Sequence, residues 1–123
     1  MLVRHVLTHT AGIPAIKEAL PREALFDRPR MVAALERAPL WFEPGSAMGY
    51  HSVTYGFLVG ELIRRVSGRT LGTFLRDEVA VPLGVEFHIG FGPELDPLVA
   101  ELIPAPPETD NLAQHAANPE SLH

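Results

Sequence analysis

The chain contains no cysteine, a single lysine, and no lysine or arginine beyond Arg76. Without cysteine there is no disulfide framework, no thiolate nucleophile and no thiolate metal site. No window approaches the ~20 apolar residues of a membrane-spanning helix. The longest stretch free of aspartate, glutamate, lysine and arginine, Pro44 to Gly60, is interrupted by proline, glycine, serine and histidine. The opening MLVRHVLTHTAG lacks the charged start, long apolar middle and small-residue cleavage site of a secretory signal, so a cytoplasmic location is expected. The Gly-x-Ser-x-Gly elbow of α/β-hydrolases is missing, because none of Ser46, Ser52, Ser67 and Ser121 has glycines at that spacing.

What is present is ordinary globular material. The 123 residues are 46% hydrophobic and 20% charged, which fits one soluble domain with a modest core. A net charge of −5 argues against nucleic acid as a partner. The charge is uneven: ten bases and six acids lie up to Arg76, and nine acids come from Asp77 onward. Such asymmetry marks either an acidic tail that docks on a partner or a slice of a larger domain whose remaining parts balance it.

Apolar periodicity predicts mainly helix. Leu2, Val3, Val6 and Leu7 share a helical face, with Gly12 and Pro14 beyond its end. A helix from about Pro29 to Ala38 is capped by Asp27, carries Met31, Val32 and Leu35 on one stripe, and stops at Pro39. The strongest pattern is Val53, Phe57, Leu58, Leu62 and Val66, with Glu61, Arg64 and Arg65 opposite and Gly68 as a left-handed cap. Thr70 then caps a short helix through Leu71, Phe74 and Leu75 that Pro82 is expected to break. VEFHIGF, Val85 to Phe91, alternates as a short strand or extended segment does. Six of the twelve prolines fall in the last 31 residues, so 93–123 reads as a Pro-rich acidic connection after a helical part, 1–92.

Two chemical readings arise from the residues alone. His5 and His9 are four apart, a spacing that places two imidazoles on one helix face, but position 6 is valine rather than glutamate and no third ligand is evident, so no metal site is expected. Tyr50, in PGSAMGYHSVTYG, is either a packed turn tyrosine or a proton-handling group. Tyrosine serves as a base only when cations or hydrogen bonds pull down a pKa that is near 10 unperturbed, so the residue type does not choose between the two.

Three segments in order carry a resemblance: VRHVLTHTAGIP (Val3 to Pro14), WFEPGSAMGYHS (Trp41 to Ser52), and TYGFLVGELIRRVSGRTLGTFLRDEVAVPLG (Thr54 to Gly84). Across Leu2 to Gly92 the chain resembles the serine beta-lactamase-related family, which includes class C beta-lactamases, penicillin-binding proteins, D-alanyl-D-alanine carboxypeptidases and esterases of the same fold. The resemblance implies the helical central portion of an α+β beta-lactamase/transpeptidase-like fold, lacking most of its sheet. It gives His9, Thr10 and Gly12 a structural role behind the site, and Pro44 and Gly45 the turn before it. The family's Tyr-x-Asn motif falls on Tyr50, His51 and Ser52, which makes Tyr50 the catalytic candidate, Ser52 a substrate-binding residue, and His51 the variable middle position.

Two departures shape the expected activity. Serine at 52 replaces an asparagine that offers both donor and acceptor, and its hydroxyl reaches less far, so a small ester fits better than a beta-lactam or peptide amide. The family's Ser-x-x-Lys nucleophile is absent, because the only lysine, Lys17, has Pro14 three residues before it. His88 to Gly90 matches the letters of the downstream His-x-Gly motif but comes directly after the Pro-Leu-Gly that closes the helical region, where the family's strand does not lie. The resemblance therefore implies a fragment of a cofactor-free serine hydrolase acting by an acyl-enzyme, silent as an isolated chain, with apolar faces such as Phe57, Leu58 and Phe74 exposed. The competing expectation is a non-enzymatic helical binding module derived from this family.

Overall fold

A computed structural model describes residues 1–103, in two units: Met1–Gly90, and a second that begins at Phe91. Most of the segment expected as Pro-rich connection lies outside the described residues. Those described are helical and contain no strand, as a helical portion of the expected fold should be.

The first helix, α1 (Val3–Leu7), is short because its end is closed at once. The Thr10 N–H donates to the His5 carbonyl at 2.7 Å and the His9 N–H to the Val6 carbonyl at 3.3 Å. This is the double closure of a Schellman turn, with His9 in the left-handed position at φ 59 where glycine is usual. The helix thus stops before Gly12, and His9 stands outside it. The shared helical face assumed for His5 and His9 does not form.

Helix α2 (Arg28–Arg37) starts as expected: the Asp27 carboxylate accepts the Arg30 N–H at 3.1 Å, and Pro29 sits in the first turn, where a missing N–H has no penalty. It buries Met31, Ala34 and Leu35. Helix α3 (Thr54–Ser67) ends at Gly68, φ 72, whose N–H returns to the Arg64 carbonyl at 2.9 Å. Its buried side is Leu58, Val59 and Leu62, which pack on Val6, Ala11 and Ile13 to form the core. Val53 and Val66, expected on that stripe, are exposed, because the contact face is set by the segment after α1 rather than by the widest apolar arc.

Thr70 caps α4 (Leu71–Leu75) through the Thr73 N–H, again as expected. Pro82 does not interrupt the helical course of the chain. One wide π turn, Arg76–Ala80, continues the helix into Val81–Leu83, and such a turn displaces the backbone ladder that a proline ring would otherwise meet. Gly84, φ 63, ends the run: its N–H bonds the Val81 carbonyl and the Val85 N–H bonds the Ala80 carbonyl. The Val85 amide is therefore engaged in closing a helix, and 85–90 is irregular rather than a strand. In the second unit a 3-10 turn spans Pro93–Leu98.

The faces expected to be bare are half-covered. The Arg69 guanidinium lies over the Phe74 ring, 4.9 Å from its centre. Phe57 and Leu58 line an apolar groove of about 350 Å³ with Val32, Leu35 and Leu40.

Beside that groove, Glu61 ties α3 to α2. Its carboxylate accepts from Arg64 at 2.7 and 2.9 Å, Arg65 at 2.7 Å and Arg28 at 3.2 Å, and Arg65 also pairs with Glu36. The hydrogen bonds from Arg64 and Arg65 hold its pKa at about 2, against an ordinary value of 4.5. The partners are largely solvated, which weakens each pair, so Glu61→Gln is expected to cost about 1–2 kcal/mol at neutral pH. Because the folded-state value is the lower one, this contribution is complete above pH 4.5, declines as pH falls, and is lost below about 2. Denaturant midpoints of the two proteins should differ at pH 7 and converge near the acid limit; a constant gap would disprove the assignment.

Candidate active site

Two segments distant in sequence are laced together by backbone bonds. The Trp41 N–H donates to the Gly12 carbonyl at 2.7 Å, the Gly45 N–H to Thr10 at 2.9 Å and the Gly49 N–H to His9 at 3.0 Å. The Thr54 hydroxyl, at the start of α3, donates to the Pro14 carbonyl at 3.1 Å. Within the second segment Pro44 and Gly45 occupy the corner of a turn closed by the Ser46 N–H on the Glu43 carbonyl at 3.0 Å. Gly45 has φ 92, which a type II turn demands at its third residue. His9, Thr10, Gly12, Pro44 and Gly45 thus build one scaffold, and Tyr50, His51 and Ser52 leave it directly.

Among the described residues His51 is the most buried large side chain, at 1% exposure. Desolvation lowers its pKa below the ordinary 6.5; a hydrogen bond to Gly49 opposes this shift and the His9 ring adds to it. Its Nδ1–H donates to the Gly49 carbonyl at 2.6 Å, which leaves Nε2 an acceptor with no partner among the described residues. His51 is tied at three points: its ring to the Gly49 carbonyl, its N–H to His9 Nδ1, and its carbonyl to the Tyr55 N–H at 3.3 Å. Its burial was invisible in the sequence, where a histidine between a tyrosine and a serine has no apolar periodicity to betray an inward direction.

His9 sits at the centre of an aromatic cluster. Its ring centre is 4.7 Å from that of Tyr50, 4.8 Å from Tyr55 and 5.3 Å from His51, all tilted. Its Nδ1 accepts the His51 backbone N–H at 3.1 Å. The His9 ring thus contacts Tyr50 and Tyr55, and its Nδ1 is taken by the His51 amide.

Tyr50 is 69% exposed and Ser52 is exposed. Both lie on the wall of a second groove of about 520 Å³, with Ile16, Leu20, Leu25, Trp41 and Val53 as apolar neighbours and Glu18 and Arg22 also on its lining. Lys17, the only lysine, projects its amine over the Trp41 ring, 4.6 Å from the centre, a cation–π contact. The structure therefore brings Tyr50 and Ser52 together on an open groove, with the paired imidazoles of His9 and His51 behind them. His88 and Ile89 are elsewhere in the packing: the Ile89 carbonyl lies against Gly72 of α4.

Comparison with known proteins is consistent along the whole scaffold. The family model described as Beta-lactamase matches residues 1–120. The chain is 34% identical over 108 residues to the protein named Esterase/beta-lactamase LipL of Mycobacterium tuberculosis, covering 84% of this chain and 24% of that protein. It superposes with a TM-score of 0.76 and 40% identity on the crystal structure of a penicillin-binding protein homologue from Caulobacter crescentus, covering 83% of this chain and 28% of the other. The chain thus spans about a quarter of the length of these relatives.

Proposed function

The chain belongs to the beta-lactamase family, and from that premise we propose that it forms the Tyr50 wall of a serine hydrolase whose Ser-x-x-Lys nucleophile residues 1–123 do not contain. The observation that carries this reading is Tyr50 itself: its ring is held against His9 while 69% of the residue stays open, on a groove it shares with Ser52.

In the proposed reaction the serine hydroxyl adds to a substrate carbonyl, and its proton passes by way of Tyr50 to the departing alkoxide. Backbone N–H groups hold the oxyanion, and water then cleaves the acyl-enzyme. No cofactor enters this scheme. The substrate class is a small ester: the groove beside Tyr50 is mainly apolar, and Ser52 lacks the paired donor and acceptor that would grip an amide side chain. A net charge of −5 disfavours nucleic acid as a partner. Among the described residues no helix is long and apolar enough to cross a membrane.

The test is covalent. A full-length protein joining residues 1–123 to an in-frame upstream Ser-x-x-Lys segment and a downstream Lys-Thr-Gly or His-x-Gly segment should release a burst of p-nitrophenol from p-nitrophenyl butyrate and carry one butyryl group on that serine by mass spectrometry. Residues 1–123 alone should give neither. Turnover by the chain alone, or a joined protein that is never acylated, would overturn the proposal; stop codons on both sides of the frame with stable expression would favour a binding module.

A further inference from the structure

His9 occupies a position where glycine is usual. At the closing residue of a Schellman turn the left-handed conformation is strained for a side-chain-bearing residue, and His9 adopts it at φ 59, alone among the non-glycine residues described. Strain retained at one point needs a compensating contact. Here the contacts converge on a single stretch of the chain. The His9 carbonyl accepts the Gly49 N–H at 3.0 Å, its Nδ1 accepts the His51 N–H at 3.1 Å, and its ring lies 4.7 Å from that of Tyr50, the residue between them.

We infer that His9 is a positioning residue for Tyr50: it grips the backbone on both sides of the tyrosine and backs its ring, so that the hydroxyl is presented to the groove in one orientation. This rests on the reading of Tyr50 as the proton-handling group. The left-handed turn is what makes the grip work, because only from outside α1 can one residue offer its carbonyl to position 49 and its side chain to positions 50 and 51. His51 completes the clamp from the other side, its Nδ1–H on the Gly49 carbonyl at 2.6 Å holding the next peptide, the one that leads into Tyr50.

Two variants separate positioning from mere packing. His9→Gly removes the ring and the acceptor while relieving the backbone. His9→Asn tolerates the left-handed conformation and offers Oδ1 where Nδ1 stood. In the joined, nucleophile-bearing protein, His9→Gly should lower kcat by about 10- to 100-fold with KM changed by less than about threefold, since a misplaced reacting group costs rate rather than binding. His9→Asn should recover most of that loss. Hydrogen exchange at the His51 amide should quicken in His9→Gly and slow again in His9→Asn.

Unchanged kcat in His9→Gly, or an unchanged His51 amide, would overturn the inference. So would equal kinetic loss in both variants tracking a common fall in Tm, which is what a purely structural histidine produces. Tyr50→Phe distinguishes the two proposals: an active Tyr50→Phe enzyme sinks the proton-transfer reading while the amide measurement still decides the grip. A dead Tyr50→Phe enzyme beside a fully active His9→Gly enzyme sinks the inference alone.

Discussion

Turnover of p-nitrophenyl butyrate by the nucleophile-bearing protein falls by about 10²–10⁴-fold in Tyr50→Phe, the range expected when a positioned proton-transfer group is lost, and Tm stays where it was. The two halves of this expectation come from different facts. Phenylalanine keeps the ring that packs 4.7 Å from His9, so the cluster behind the site is undisturbed. At 69% exposure the hydroxyl belongs to a solvated residue, and deleting it leaves no buried group without a partner. Steady-state kinetics beside a thermal melt provide the check. Turnover at the wild-type rate would remove Tyr50 from the reaction, and a large fall in Tm would show that the hydroxyl is structural.

The largest loss of stability is expected at Gly12. It is buried, it has φ 83, and a Cβ built on it would overlap the Phe42 carbonyl oxygen, a backbone atom that cannot swing aside. Gly12→Ala combines left-handed strain with that overlap and is expected to cost about 3 kcal/mol or more. Gly68→Ala isolates the first component: φ is 72, yet a Cβ there meets nothing within 4 Å, so only about 1 kcal/mol is at stake. Denaturant unfolding of both variants tests the pair, and equal losses would show that the approach of Phe42 is not tight. Because the Gly12 carbonyl also accepts the Trp41 N–H at 2.7 Å, pushing these segments apart disturbs the scaffold of Tyr50 as well.

Much of the helical plan could be read from single residues whose chemistry is local. Asp27 and Thr70 cap where short polar side chains cap, and Gly68 turns left-handed where glycine does. The misreadings share a cause, which is that the deciding partner lies far away in sequence or in a neighbouring turn. Val85, Phe87 and Ile89 alternate like a strand, but the Val85 amide closes the preceding helix. Pro82 looks like a breaker until the π turn before it is seen. His9 looks like the end of α1, and only the return of residues 49–51 shows what its ring and its unusual backbone are for. For the site, the resemblance points to Tyr50 and Ser52, which share one groove, whereas the burial of His51 could not be read, since nothing in its immediate neighbours encodes an inward direction.

The lacing of the segment after α1 to the approach to α3 also has a kinetic meaning. The His51 amide reaches His9 across 42 positions and the Thr54 hydroxyl reaches Pro14 across 40, so these contacts close one and the same large loop, inside which α2 must fit. The entropic cost of loop closure grows only as ~(3/2)RT ln n, and it is incurred once for bonds that share a loop. The first tie to form bears it, and the remaining ones form at little further cost. The tyrosine corner should therefore assemble in a single step, and a weakened tie should speed its opening as a unit rather than fray it residue by residue.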